Sequence, residues 1–147
     1  MNEYPWMALL RDKFWSQERF VCAGSLISAE WVLTAAHCLF FFTTGRRIQR
    51  RLLILIIITY SANLEVRLGE HQRSSATETS LTVSIGVDKI VEHPGYDNPK
   101  NDVALLKLAS RVDTTIYTPI CLPLQGAVYT GFTATVIGSV LKIYVLS

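Results

Sequence analysis

The feature that most limits how this chain can fold is a succession of short apolar segments separated by turn residues. They lie at residues 31–33, 64–68, 81–85, 87–92, 103–108 and 132–137. In several of them apolar and polar side chains alternate, which is the period of a strand with one buried face. No stretch of ten or more residues shows the apolar spacing of an amphipathic helix. The pattern predicts an all-β fold with closely spaced strands, either a sandwich or a barrel.

Composition excludes several other classes of protein. The chain has 147 residues, of which 50% are hydrophobic and 18% are charged, so it is too apolar for a disordered chain. Its net charge of +2 does not provide the basic surface that binding to nucleic acid requires. The longest apolar run covers residues 52–58, whereas a membrane-spanning helix needs about 20 residues. We therefore expect one globular domain, or part of one, with neither a nucleic acid partner nor a membrane span.

Residues 39–60 differ in composition from the rest of the chain. Of these 22 residues, 13 are Leu, Ile, Phe or Tyr, four are arginine and none is acidic. The block has neither helical nor strand periodicity, so a strand buried on both faces and a segment foreign to its surroundings both remain open. We interpret it as an anomalous insert. Without its four arginines, 10 basic residues face 12 acidic residues, so the remaining chain is slightly acidic.

His37 has the most distinctive local setting of the three histidines. It follows Ala35 and Ala36 and precedes Cys38, and Cys22 lies 16 positions before Cys38. A disulfide between the two cysteines would close a loop of about 15 residues and stabilise the fold by about 3 kcal/mol on the chain-entropy model. It would also anchor the backbone beside His37. The alternative is a histidine next to a thiol with no special role.

A zinc site formed by Cys22, His37 and Cys38 is a competing interpretation of this cluster. Structural zinc sites use four ligands, most often in pairs with C-x2-4-C spacing. Here two of the three candidates are neighbours in the sequence, and no second pair follows. We therefore predict no zinc site at these residues.

Asp102 directly precedes the apolar segment at residues 103–108. A carboxylate at the mouth of a buried strand needs a hydrogen-bonding partner, because burying an unpaired charge costs free energy. A histidine in that role would be held in one tautomer and could then act as a general base. The alternative is an acid that caps a turn at the edge of the strand.

Two motifs carry a family resemblance. Residues 31–38 read WVLTAAHC, and residues 101–108 read NDVALLKL. Together they resemble the trypsin-like serine endopeptidases, which have the chymotrypsin fold. Further segments fit the same family, namely YPWMALL at 4–10, CAGSLI at 22–27, RLGEH at 67–71 and PICLP at 119–123. The last two look most like arthropod haemolymph proteases that carry an upstream clip domain.

The resemblance implies a fold of two antiparallel Greek-key β-barrels, of which this chain holds the first. Residues 1–38 and 61–128 would form the first barrel. Residues 39–60 would be an insert within it. Residues 129–147 would be the truncated start of the second barrel, so we expect the chain to stop before that barrel is complete.

The same resemblance implies roles for individual residues. His37 corresponds to the general base of the family, and Asp102 to the buried acid that orients it. Cys121 stands where the family commonly forms a disulfide to an upstream segment that this sequence lacks. We take Cys22 and Cys38 to form a disulfide, and this pair and the family together predict an extracellular setting, although the first residues show no secretory signal.

A calcium-binding loop around Glu70, with Glu78 as a second ligand, is also suggested by the resemblance. Calcium takes six or more oxygen ligands, whereas two acids on a polar loop are more often simply solvated. We therefore predict no cofactor and no metal for this chain.

The serine nucleophile of the family is not found in this sequence. In the family it lies in a Gly-Asp-Ser-Gly-Gly segment, whereas the serines that follow Asp102 are Ser110, Ser139 and Ser147, none in that setting. Without a nucleophile, a histidine–aspartate pair has no group to activate. The resemblance thus implies a serine endopeptidase acting on protein or peptide substrates, and the missing nucleophile predicts that this chain is inactive. The alternative is a non-catalytic protease homologue that acts as a binding or regulatory module.

Overall fold

Six antiparallel strands close into a β-barrel. The computed structural model describes residues 4–13, 19–39, 63–69, 82–137 and 144–146. The barrel strands are β1 (Met7–Asp12), β2 (Arg19–Ser28), β3 (Trp31–Thr34), β4 (Leu64–Leu68), β5 (Val83–Glu92) and β6 (Ala104–Leu108). They pair in the order β1-β2-β3-β6-β5-β4, and β4 closes the barrel on β1. Because β4 returns beside β1 after three consecutive strands, the topology is a Greek key, as the resemblance implies.

Alternation of side chains along the strands builds the barrel interior. In β6, Ala104, Leu106 and Leu108 are buried, whereas Leu105 and Lys107 are partly exposed. The largest fully buried side chains of the described residues are Leu10, Leu26, Val32, Leu64, Val66, Leu68 and Leu106. They come from five of the six strands, so the core exists only once the sheet has closed.

The sequence expectation for β5 needs correction. Alternation predicts separate strands at residues 81–85 and 87–92, but the structure has one continuous strand. A register shift between Val87 and Lys89 interrupts its pairing with β6. An irregularity of this kind breaks the alternation of faces while the strand continues.

Periodicity does not reveal β1. Ala8, Leu9 and Leu10 are consecutive and all buried, so the strand lacks an alternation of apolar and polar side chains. Its pairing with β2 also shifts register between Leu10 and Arg11. What makes this segment a strand is its hydrogen bonding to β2 on one side and to β4 on the other.

An ion-pair cluster joins β1 to β4. Glu65 Oε2 lies 3.0 Å from Lys13 Nζ, and Glu65 Oε1 lies 3.7 Å from Arg11 Nη1. Burial raises the pKa of Glu65, but hydrogen bonds from Ser84 and Lys13 and the charges of Lys13 and Arg11 outweigh it. The pKa therefore lies below its ordinary value, and the folded barrel favours the ionised carboxylate.

Two further strands lie outside the barrel. They are β7 (Ala134–Val136) and β8 (Tyr144–Leu146), which pair as a two-stranded antiparallel sheet. β7 falls within the strand predicted at residues 132–137, and its assignment to a second barrel stays a prediction. No helix in the described part of the chain has the length and apolar character needed to cross a bilayer.

Several predicted features fall outside the described residues. They are the insert beyond Leu39, the acids Glu70 and Glu78, and the serines Ser139 and Ser147. The interpretations given for them above therefore stay predictions.

Candidate active site

His37 lies in a 3-10 turn that follows strand β3. The turn spans Ala36–Leu39, with Ala36 and Cys38 buried, whereas the His37 side chain is 51% exposed. The amide of Cys38 donates to the carbonyl oxygen of Ala35 at 3.2 Å and closes the turn. Because a 3-10 helix has three residues per turn, the neighbours of His37 can point inward while its own ring points outward.

A disulfide anchors this turn to strand β2. Cys22 and Cys38 are bonded, with their Cα atoms 5.8 Å apart, as the sequence predicts. Beyond the disulfide, β2 and β3 approach closely at Gly24, where an added Cβ would lie 2.6 Å from the carbonyl oxygen of Leu33. The end of β3 is therefore held by a covalent bond and by close backbone packing before the chain reaches His37.

Asp102 contacts His37 with both carboxylate oxygens. The two residues are 65 positions apart, and His37 Nδ1 lies 2.6 Å from Asp102 Oδ2. The backbone amide of His37 donates to Oδ1 at 2.8 Å. These hydrogen bonds, from the ring first and then from the amide, hold the pKa of Asp102 below its ordinary value. The carboxylate is therefore ionised at neutral pH and accepts both hydrogen bonds.

The contact with Asp102 decides which nitrogen of His37 carries the proton. An ionised carboxylate only accepts hydrogen bonds, so Nδ1 must donate. In the neutral ring Nε2 then keeps its lone pair. It lies 3.6 Å from Cys38 Sγ, and the His37 side chain as a whole is half-exposed. A histidine held in this way can accept a proton from a hydroxyl, which is the task of a general base.

The loop before Asp102 contains a residue whose importance the sequence did not reveal. Asn101 has a φ of 54°, in the left-handed region. The available signal is residue type, because Asn is several-fold enriched among non-glycine residues with positive φ. In the same loop, burial and then the charges of Asp102 and Glu92 raise the pKa of Tyr96 above its ordinary value.

Asp102 also lines an open cleft of about 390 Å³. This volume is in the range of protein binding pockets. The wall is formed largely by apolar residues and includes Trp6, Met7, Ser25, Ala35, Val103 and Ile137. The cleft is therefore lined both by barrel residues and by Ile137, which directly follows β7.

The three residues considered for zinc lie together, but not as three ligands. The sulfur atoms of Cys22 and Cys38 and a ring nitrogen of His37 lie within 4.8 Å of one another. Because the two sulfurs are bonded to each other, neither is the thiolate that binds zinc. The cluster fits an anchored histidine better than a metal centre.

Comparison with known proteins assigns this barrel to a family. The family model described as Trypsin matches residues 1–142. The chain belongs to the trypsin family. It is 33% identical over 129 residues to CLIP domain-containing serine protease B9 of Anopheles gambiae and 34% identical over 137 residues to serine protease grass of Drosophila melanogaster. It is also 36% identical over 140 residues to phenoloxidase-activating factor 3 of Holotrichia diomphalia.

These relatives confirm the predicted similarity to clip-domain proteases of arthropods, and they are much longer than this trypsin-family chain. Each comparison covers 84% of the chain. It covers only 31% of protease B9, 32% of serine protease grass and 35% of phenoloxidase-activating factor 3. The chain thus spans about a third of the length of the relatives that it matches.

Proposed function

We propose that this chain supplies the general base and its orienting acid to a trypsin-like serine endopeptidase. The observation that carries the proposal is the double contact of Asp102 with His37, at 2.6 Å to the ring nitrogen and 2.8 Å to the backbone amide. The first contact selects the tautomer, and the second holds the backbone that carries the ring. A general base needs both, so His37 is assigned as the base and Asp102 as the acid that orients it.

The proposal gives this chain no proteolytic activity of its own. Acyl transfer by the family's mechanism also needs a serine nucleophile and an oxyanion hole. Ser110 is exposed just after β6 and has none of the glycines of the family's nucleophile segment beside it. The groups of such a catalytic unit act non-additively, so a base without its nucleophile contributes little.

Protein or peptide substrates and an extracellular setting belong to the same proposal. The Cys22–Cys38 disulfide supports an oxidising compartment, and a relative 33% identical over 147 residues is named venom serine protease 34 of Apis mellifera. Cys121 is exposed and unbonded, which is compatible with a disulfide to a segment outside this sequence.

Nitrogen NMR of the 15N-labelled chain tests the histidine–aspartate pair. We expect His37 to carry its proton on Nδ1, and to shift toward the Nε2-protonated form in Asp102→Asn, whose amide can donate to the ring. Lys100→Ala is the control, because Lys100 is exposed in the same loop and its hydrogen bonds with Asp97 are made by backbone atoms. An unchanged tautomer in Asp102→Asn would contradict the proposal.

Hydrolysis of chromogenic peptide amides tests the absence of independent activity. We expect no turnover above the buffer rate from the purified chain, because no serine stands in the nucleophile setting. Turnover that follows the purified protein and disappears in His37→Ala would show that the chain holds a nucleophile, and would overturn this part of the proposal.

A second candidate function is a non-catalytic binding module, and one feature favours it. Large apolar side chains are exposed beyond the barrel, among them Leu124 at 81% and Phe132 at 69%. Large apolar side chains that lie together on a surface commonly mark an interaction site, and the ring of Phe132 packs edge-on against that of the exposed Tyr129, with centroids 6.1 Å apart. Self-association of the purified chain can be measured by analytical ultracentrifugation. An association that is lost in the double variant Leu124→Ser with Phe132→Ser, but kept in His37→Ala, would favour this candidate over the first.

A further inference from the structure

One loop holds the chain on both sides of Asp102. Before Asp102, the side-chain Nδ2 of Asn101 donates to the carbonyl oxygen of Gly95 at 2.7 Å. After it, the carbonyl oxygen of Val103 accepts from the backbone amide of His93 at 3.1 Å. The residue that contacts the general base is therefore tied at both flanks to residues 93–95.

The backbone turns sharply at Asp102. The amide of Val103 donates to the carbonyl oxygen of Asn101 at 2.8 Å, which makes a three-residue turn with Asp102 at its centre. Asn101 enters this turn with a φ of 54°. A left-handed backbone is costly for most residues, and Asn is one of the few besides glycine that adopt it readily.

This turn removes Asp102 from the inward row of β6. Side chains two positions apart in a strand share a face, and Ala104 and Leu106 point into the core. If the strand simply continued toward its N-terminus, the carboxylate of Asp102 would follow that row into the apolar interior. In the structure its side chain is instead 25% exposed and faces His37.

We propose that Asn101 is a positioning residue for the histidine–aspartate pair. Its left-handed backbone starts the turn, and its amide, bonded to Gly95, holds that turn in place. Together they set the direction from which the Asp102 carboxylate meets the ring and amide of His37. The inference rests on the proposed function, since it concerns how the orienting acid is itself oriented.

Gly95, which accepts the hydrogen bond from Asn101, is itself held in place. The amide of Gly95 donates to His93 Nδ1 at 3.1 Å, which fixes the local backbone. A Cβ added at Gly95 would lie only 3.2 Å from Asn101 Nδ2 and 3.5 Å from the His93 ring. Glycine at this position therefore leaves room for the Asn101 amide to reach the carbonyl oxygen.

The test uses the full 15N-labelled chain and two readouts on each variant. One is the tautomer of His37 and the rate at which its Nδ1 proton exchanges with water, and the other is global stability in urea. Asn101→Ala loses both the hydrogen bond to Gly95 and ready access to the left-handed backbone, so we expect Nδ1 exchange about three- to tenfold faster and a smaller Nδ1-protonated share. Asn101→Gly keeps access to the left-handed backbone and loses only the hydrogen bond to Gly95, so we expect a smaller acceleration, of about twofold.

Lys100→Ala is the matched control, and it should leave both His37 signals as in the wild type. The inference is overturned if Asn101→Ala behaves like Lys100→Ala while Asp102→Asn changes the tautomer, or if Asn101→Ala lowers stability without altering His37. Should Asn101→Ala fail to fold, Asn101→Gly decides, and wild-type exchange in it overturns the inference. If Asp102→Asn itself leaves His37 unchanged, the proposed function fails, and this inference fails with it.

Discussion

Removing the Cys22–Cys38 disulfide measures how strongly the turn that carries His37 is anchored. The variant is Cys22→Ala with Cys38→Ala, which removes the cross-link without placing a hydroxyl in the interior. The bond joins residues 16 positions apart. On the chain-entropy model, opening a loop of that size stabilises the unfolded chain enough to lower the free energy of unfolding by about 3 kcal/mol.

The folded state adds a smaller contribution of the same sign. Cys38 is only 3% exposed, so loss of its sulfur leaves a small cavity that costs about 1 kcal/mol. Strands β2 and β3 lie within the closed loop and stay paired, for example Gly24 with Thr34, so the native barrel needs little rearrangement. We therefore expect a total loss of about 3 to 4 kcal/mol, against the roughly 5–15 kcal/mol that stabilise a typical domain.

Urea denaturation, followed by tryptophan fluorescence and circular dichroism, measures this loss. The matched control is Cys121→Ala, because Cys121 is exposed and unbonded, and its effect should stay within about 0.5 kcal/mol. The dependence of the unfolding free energy on urea should also steepen, since an unfolded chain without the cross-link exposes more surface. A double variant within about 1 kcal/mol of Cys121→Ala would refute the reasoning, because neither the loop nor the cavity would then matter.

Two further predictions concern the core and its dependence on acid. Leu106→Ala, at a fully buried position, should lower the free energy of unfolding by about 2–5 kcal/mol, and the exposed Leu124→Ala by less than about 0.5 kcal/mol; equal effects in urea denaturation would contradict the barrel interior. The pKa of Glu65 is lowered from 4.5 on folding, so its stabilisation is present above that pH and is lost as the pH falls through the folded pKa. The stability difference between wild type and Glu65→Gln should therefore shrink from about pH 7 to about pH 3, and a difference that grows would contradict the assignment.

Alternation of apolar and polar residues predicts those strands that have one buried face and one exposed face. β6 alternates buried and partly exposed residues, and the sequence indicates it directly. β5 is interrupted by its register shift at Val87 and Lys89, so alternation divides it in two. β1 has three consecutive buried residues, and only its pairing with β2 and β4 reveals its nature.

The candidate site shows a similar division. Through the family resemblance, the motifs around His37 and Asp102 identify a candidate base and acid, and the sequence offers Cys22 and Cys38 as a disulfide pair. No local pattern indicates that Asp102 bonds to both the ring and the amide of His37. The left-handed backbone of Asn101 is also invisible to apolar periodicity, which records burial but not the sign of φ.

Alternation along short segments thus predicts the all-β class, because the period of a strand is visible within a few neighbouring residues. The short motifs at residues 31–38 and 101–108 identify the candidate base and acid through their family resemblance. Tertiary structure alone brings together His37 and Asp102, which are 65 positions apart. Their contact depends on the antiparallel pairing of β3 with β6, and on the turn at Asn101 that takes the carboxylate out of the strand's inward row. Long-range pairing and a single left-handed residue have no periodic signature, so only the folded barrel shows the pair assembled.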